Sequence, residues 1–337
     1  MNAPKNRRWR VAAMPTEHLE TSHFELETVD LPDVPEGQVL CRVLWISIDA
    51  AQRTWLQGAT YRSAVQVGDT IPAFAIGQVV ESRSEDFAAG DIVTGHLGWQ
   101  DYAVVEPGEL DRLVPTKKLS YYLSVLGITG VTAYFGLLDV GEAKPGETVV
   151  VSGAAGATGA LVGQIAKLKG CRVVGICGSP EKQKWLTSEL GFDAAVSYRD
   201  DDFRKSLNEA CPDGIDVYFD NVGGATLDTA LRIMAHRGRV VCCGVVSQYD
   251  TTNPARGARG VPGALIIKSI TMRGFLYTDY AERFDEGFQA LQGWLDDGSL
   301  TVAEDILEGI EKAPEGLIGV LNGTNVGKRM IHVADPS

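Results

Sequence analysis

Over residues 1–122 the chain alternates apolar and polar positions in short runs broken by turn residues. Val39–Ile48 is the longest run and predicts a strand. Ala75–Ser82, Gly90–Gly95 and Gln100–Val105 predict three more, each bounded by glycine, proline or acidic residues. Many short strands at this spacing suggest a small barrel-like domain. After residue 121 the rhythm changes. Apolar runs of strand length at Thr148–Val151, Cys171–Cys177, Ala194–Tyr198, Ile215–Phe219, Arg239–Cys243 and Thr271–Leu276 alternate with helical stretches. The helices are expected at Ala160–Lys169, Pro180–Leu190, Asp202–Ala210, Thr226–Met234 and Tyr280–Asp296. The second has Ser179 as N-cap, Pro180 in its first turn and Gly191 as its stop. Such alternation builds βαβ units, and therefore an α/β domain with a parallel sheet covered on both faces. The tail ends in an apolar strand, Lys328–Val333, expected to return to the first domain. The expected division is a β-rich domain of 1–122 and 301–337, and a doubly wound domain of 123–300.

Composition narrows the function classes. A chain of 337 residues with 45% hydrophobic and 22% charged content suits two soluble domains with ample core. A net charge of −13 argues against nucleic-acid partners and anionic membrane surfaces. The uncharged runs Leu119–Leu138 and Thr148–Ala166 have the length of a membrane span, yet glycine, serine and threonine interrupt both. They read as buried elements of a soluble core. The six cysteines form no Cys-x-x-Cys pair, which predicts free thiols in a reducing compartment. The basic start, Met1–Arg10, has no apolar stretch behind it and is not a secretory signal. A cytoplasmic protein is expected.

The chemistry begins at Thr148–Gly159, where a β-branched run enters the turn Ala154-x-Gly156-x-x-Gly159 and a small-residue helix leaves it. Gly156 and Gly159 lack a Cβ, so backbone can approach a pyrophosphate and the helix can pack tightly on the strand. The amides and positive dipole end of the new helix face the phosphates, with Ala157 and Thr158 between the glycines. This predicts a dinucleotide. An NAD site ends its second strand with an acid that holds the ribose 2′-hydroxyl. Here that strand ends Ile176-Cys177-Gly178-Ser179, without a carboxylate, and Lys182 and Lys184 follow in the next helix. A 2′-phosphate wants a cation there, which favours NADPH. Asn221 and Gly244 lie just past the ends of expected parallel strands, where open α/β sheets bind ligands. A buried asparagine there needs polar partners such as a carboxamide or a ribose.

Five segments together resemble a known family. They are Gly127–Tyr134, Gly153–Gly170, Pro212–Gly224, Cys243–Tyr249 and Asn325-x-Gly327-Lys328. Over essentially its whole length the chain resembles the zinc-independent medium-chain dehydrogenases/reductases. Within them it is similar to the prostaglandin reductases, plant double-bond reductases and bacterial curcumin reductases. The resemblance implies a GroES-like β-rich domain joined to a Rossmann domain. It implies that Gly156–Gly159 hold the pyrophosphate and Lys182 the 2′-phosphate, with Gly178 beside it and Tyr198 on the adenosine ribose-phosphate. It implies Asn221 at the nicotinamide half, Cys243, Gly244, Val245, Ser247 and Tyr249 along the cofactor cleft, Phe275 and Leu276 on the nicotinamide, and Asn325 as a last polar contact. Zinc-dependent relatives carry a Cys/His catalytic set and a cluster of four cysteines. Residues 1–122 hold only Cys41 with His18, His23 and His96, none at ligand spacing, so no metal is expected.

Without a Lewis acid, hydride transfer to an activated C=C bond is the easier chemistry, since the substrate's own carbonyl takes up the charge. That reaction needs a hydrogen-bond donor for the growing enolate and a proton for the α-carbon. The resemblance gives the donor role to Tyr249. The chain departs from the family's Asp-Pro-Tyr-Met-Arg, reading Asp49-Ala50-Ala51-Gln52-Arg53. Ala51 would leave the substrate cleft more open, or let Trp55 or Tyr61 fill it, with Asp49 at its edge. The expected activity is NADPH-dependent reduction of 2-alkenals and 2-enones. A quinone reductase of the same superfamily and a non-enzymatic NADPH-binding protein stay open beside it. The resemblance also implies a homodimer through a sheet edge, for which Val240–Cys243 and Ser269–Arg273 are the candidates.

Overall fold

The computed structural model describes residues 4–60, 62–251 and 260–337. Strands β1 (Lys5–Val11) and β2 (Phe24–Asp30) form a separate antiparallel pair. Then come β3 (Val39–Ser47), the short helix α1 (Gln52–Trp55), β4 (Phe74–Ser82), β5 (Ile92–His96), β6 (Tyr102–Val105) and β7 (Leu110–Leu113). Helix α2 (Ile128–Phe135) leads into an alternating series. It runs β8 (Thr148–Ser152), α3 (Ala157–Leu168), β9 (Arg172–Cys177), α4 (Pro180–Ser188), β10 (Ala194–Ser197), α5 (Phe203–Ala210), β11 (Ile215–Asp220) and α6 (Gly224–Ile233). It continues with β12 (Met234–Cys242), α7 (Val261–Lys268), β13 (Thr271–Gly274) and α8 (Phe284–Asp296). The chain ends with β14 (Glu304–Glu308), α9 (Ala313–Leu321) and β15 (Lys328–His332).

Two larger sheets result. One is parallel and six-stranded, in the order β10-β9-β8-β11-β12-β13. The other has seven strands in the order β14-β15-β3-β4-β5-β7, with β6 also on β3. The expected return of the tail is met there: β15 runs antiparallel to β3, with Met330 opposite Ser47. In β8, Val149 and Val151 join one apolar cluster and Val150 the cluster on the opposite face. A strand covered on both sides reads as an unbroken apolar run, which is why this part of the fold is visible in sequence.

Three expectations are corrected. Helix α3 begins at Ala157, three residues early, because Gly156 is already extended (φ −85°, ψ 178°) and caps it. Gly159 is therefore helical despite its low propensity; a Cβ there would stand 2.4 Å from the Gly153 carbonyl oxygen. Val240–Cys242 is not a sheet edge, since β12 pairs with β11 on one side and β13 on the other. The strand expected to reach Leu276 stops at Gly274. Among the described residues no helix is long and apolar enough to cross a membrane. The run 119–138 breaks into a 3₁₀ turn, α2 and a wider final turn, and 148–166 into β8, the glycine turn and α3.

Candidate active site

The anticipated cofactor residues follow the C-terminal ends of all six parallel strands. Gly156–Gly159 follow β8, Gly178 follows β9, Tyr198 follows β10, Asn221 follows β11, Cys243–Tyr249 follow β12, and Phe275 and Leu276 follow β13. This rim is where an open α/β sheet receives its ligand. The turn after β8 is made by Gly153 at φ +59° and Gly156 at the cap of α3, whose first-turn amides have no partner within the helix.

Two rim segments are zipped together. The Asp220 carbonyl accepts from the amides of Cys243 (2.9 Å) and Gly244 (3.0 Å), and the Asn221 carbonyl accepts from Val246 (3.2 Å). Beneath them the Asp220 carboxylate is buried and accepts from Ser152 Oγ, Tyr218 Oη and the amides of Val222 and Gly223. Burial pushes that carboxyl up, against the four donors. Asn221 Nδ2 donates to the Ser152 carbonyl at 2.8 Å, which sets the side chain's orientation. Ser247 is exposed, its hydroxyl donating to the Val222 carbonyl at 2.6 Å.

The tail closes over the glycine turn. Gly327 N–H donates to the Ala155 carbonyl at 2.8 Å, and Gly156 and Gly327 form a parallel bridge. Asn325 is buried beside it, with Nδ2 on the Gly327 carbonyl at 2.9 Å. Lys182 Nζ reaches the Gly323 carbonyl at 2.7 Å. Burial lowers the pKa of this ammonium; among smaller influences Arg199 and Arg329 also lower it. A cation cluster thus forms at the mouth of β9 and β10 in a strongly acidic chain. Tyr198 leans on Gly178, where a Cβ would stand 3.0 Å from its ring, and Arg199 Nε donates to Tyr198 Oη at 3.3 Å. Arg199 escaped the reading of the sequence; the only signal was a basic residue directly after the strand-end tyrosine.

Opposite the rim lies the end of β3. Lys328 Nζ, on β15, bonds the Asp49 carboxylate and the Ile48 carbonyl at 3.2 Å. Asp49 also faces Tyr277, whose phenol is pushed up by burial and then by that charge. Phe275 turns its ring inward against Gly136 and Tyr280, so its side chain belongs to the core. Leu276 is 44% exposed. Tyr61 lies outside the described residues.

Beside Tyr249 opens a cleft of about 670 Å³ lined by both sides, among them Met14, Arg53, Leu56, Gln57, Gln248 and Thr251. Trp55 is buried with the Arg62 guanidinium 4.5 Å from its ring centre, and Ala51 is half-buried at the start of α1. Neither lines the cleft, so the wall there is built by Arg53 and Gln57 instead. Tyr249 Oη accepts from the Val245 amide at 3.3 Å, which leaves its own hydrogen free to donate. Burial raises its pKa above the usual value, and the phenol stays protonated at neutral pH.

Residues 7–113 match a family profile described as the N-terminal domain of oxidoreductase, and 157–293 one described as a zinc-binding dehydrogenase. The two matches and the paired sheets define an oxidoreductase of medium-chain dehydrogenase/reductase architecture. The NADPH-dependent curcumin reductase of Escherichia coli is 40% identical over 336 residues, covering 98% of this chain and 97% of that one. The NADP(+)-dependent 2-alkenal reductase of Nicotiana tabacum is 38% identical over 332 residues, 95% of each chain. The crystal structure of CurA in complex with NADPH from Vibrio vulnificus aligns with a TM-score of 0.93 at 36% identity, covering 98% of this chain and 100% of that one. The chain belongs to the zinc-independent double-bond reductase family of this class. Among the described residues no group of three or more His, Cys, Asp or Glu could hold a metal ion.

Proposed function

We propose that the protein is an NADPH-dependent 2-alkenal/2-enone reductase in which Tyr249 stabilises the enolate oxygen. The carrying observation is the Tyr249 phenol on the rim segment after β12, protonated and, among the described residues, with its hydrogen undonated, while its neighbours Gln248 and Thr251 line the cleft. When bound, NADPH supplies the hydride that reaches the substrate β-carbon. As that happens, negative charge grows on the carbonyl oxygen, where a fixed phenol donor lowers the barrier more than it lowers the ground state. The names of the relatives, a curcumin reductase and a 2-alkenal reductase, support this reading. A panel of enones, enals and quinones with purified protein tests it. NADPH oxidation with enones and enals is expected; turnover of quinones alone would overturn it.

The residues fit the phosphorylated cofactor. Gly159 lets α3 pack directly on the glycine turn, where a Cβ would stand 2.4 Å from the Gly153 carbonyl oxygen, and Lys182, with Arg199 and Arg329 nearby, answers a 2′-phosphate where β9 offers no acid. Losing one charge-assisted hydrogen bond, Lys182→Ala should raise KM for NADPH about tenfold and leave KM for NADH little changed. Equal losses for both cofactors would refute the assignment.

A homodimer through β13 completes the reading. This edge strand has β12 on one side only, and beside it Ile266 and Ile267 are 78% and 79% exposed. Light scattering should give twice the 36.2 kDa of one chain. A monomer at micromolar concentration would remove the proposal.

A further inference from the structure

Asp250 follows Tyr249 directly, and its partners come from the opposite wall of the cleft. Its Oδ1 accepts from Arg53 Nε at 2.7 Å and from the Leu19 amide at 2.9 Å, and Oδ2 faces His18 Nδ1 at 3.2 Å. Gln57 Nε2 donates to the Tyr249 carbonyl at 2.9 Å. Arg53 is 1% exposed, with Nη2 on the Glu17 carbonyl at 3.0 Å. Its Nη1 is buried and has no hydrogen-bond partner among the described residues. This arrangement is a poor way to gain stability. A buried guanidinium with one unpaired nitrogen loses hydration that one carboxylate only partly replaces, and an apolar pair of the same volume would serve packing as well. What the arrangement supplies is direction. One rigid guanidinium plane joins the Asp250 carboxylate, through Nε, to the Glu17 carbonyl, through Nη2, a linkage that apolar packing does not make.

We propose that Arg53 and Asp250 form a clasp across the cleft that positions the Tyr249 phenol for the substrate's carbonyl oxygen. Both are positioning residues, and the proposal rests on the donor role of Tyr249. The Tyr249 carbonyl and the Asp250 side chain are both tied to the 17–57 segment, so the phenol projects from a fixed base. A donor displaced by about 1 Å forfeits much of its effect on the transition state.

The test compares kcat on an enone, KM for NADPH and thermal midpoint. Asp250→Asn alone leaves the Arg53 cation buried and unpaired, so a loss of activity in it reads stability as well as positioning. Arg53→Met/Asp250→Asn removes both charges and keeps the volume. This double variant should fold and hold KM for NADPH within about twofold, yet lose at least ~10-fold in kcat. Added to Tyr249→Phe, the same pair should cost less than about twofold more, because it acts through the phenol that is already gone. A double variant with wild-type kcat overturns the proposal, as does a full further loss in the Tyr249→Phe background. If Tyr249→Phe itself keeps wild-type kcat, the donor reading falls first and takes the clasp with it. A slow Tyr249→Phe beside a fast double variant sinks the clasp alone.

Discussion

Replacing Asp49 with alanine is expected to destabilise the folded chain by about 3 to 5 kcal/mol, the cost of leaving a buried charge unpaired. Its partner Lys328 is only 3% exposed, whereas Asp49 is 43% exposed. The burden of the pair therefore falls on the ammonium. Without the carboxylate, Lys328 Nζ keeps one neutral acceptor, the Ile48 carbonyl at 3.2 Å. The Ser47 hydroxyl loses its acceptor as well. Asp49→Ala/Lys328→Met removes both charges and should recover most of the loss. Thermal unfolding followed by circular dichroism reads the series: a lowered midpoint for the single variant and a restored one for the pair. A single variant that melts with the wild type would refute the dependence of Lys328 on Asp49.

Tyr249→Phe is expected to lower kcat on an enone by about 10²-fold, the size seen when one donor to a developing oxyanion is removed. The substitution keeps the ring and deletes only the hydroxyl, which here takes one hydrogen bond from the Val245 amide and has its own hydrogen to give. KM for NADPH should hold, since the lost interaction belongs to the transition state of the substrate. Burial keeps the phenol neutral, so the wild-type rate should not fall through titration of this group between pH 6 and 9. A kcat within threefold of wild type would remove Tyr249 from the chemistry.

How much of this was legible depended on the kind of force involved. β8, β9 and β11 are buried on both faces and declare themselves as apolar runs, with Gly153, Pro180 and Gly191 as punctuation. The glycine turn, Asn221 and Gly244 follow from strand ends by position; the other rim residues come from the family resemblance. β1 was invisible for the opposite reason. It reads Lys-Asn-Arg-Arg-Trp-Arg-Val and is held by charge: Arg8 and Arg10 share Glu27 of β2, and Arg7 bonds Asp101. Hydrophobic periodicity carries no record of such pairs. Helix α7 hides behind Pro262 and Gly263, and its two most apolar residues face outward. The site divides the same way. Lys182 could be located from the strand end before it and Tyr249 from the family resemblance, but the pairs Asp49–Lys328 and Arg53–Asp250 join residues 279 and 197 positions apart. Only the folded chain brings them together.

β15 lies inside the seven-stranded sheet, between β14 and β3, although the chain ends only a few residues beyond it. On the ribosome, β6 soon covers residues 39–42 of β3 on the flank away from β4, but the Trp45–Ser47 end must wait for β15, 279 residues downstream as the Asp49–Lys328 spacing measures. At about 5 to 20 residues per second, the wait is roughly 15 to 60 s. The six parallel strands, contiguous from Thr148 to Gly274, can assemble in that interval. The Trp45–Ser47 end of β3 is therefore completed only after the parallel sheet can form. During that time the unpaired Trp45–Ser47 end of β3 is the segment that chaperones have most reason to guard.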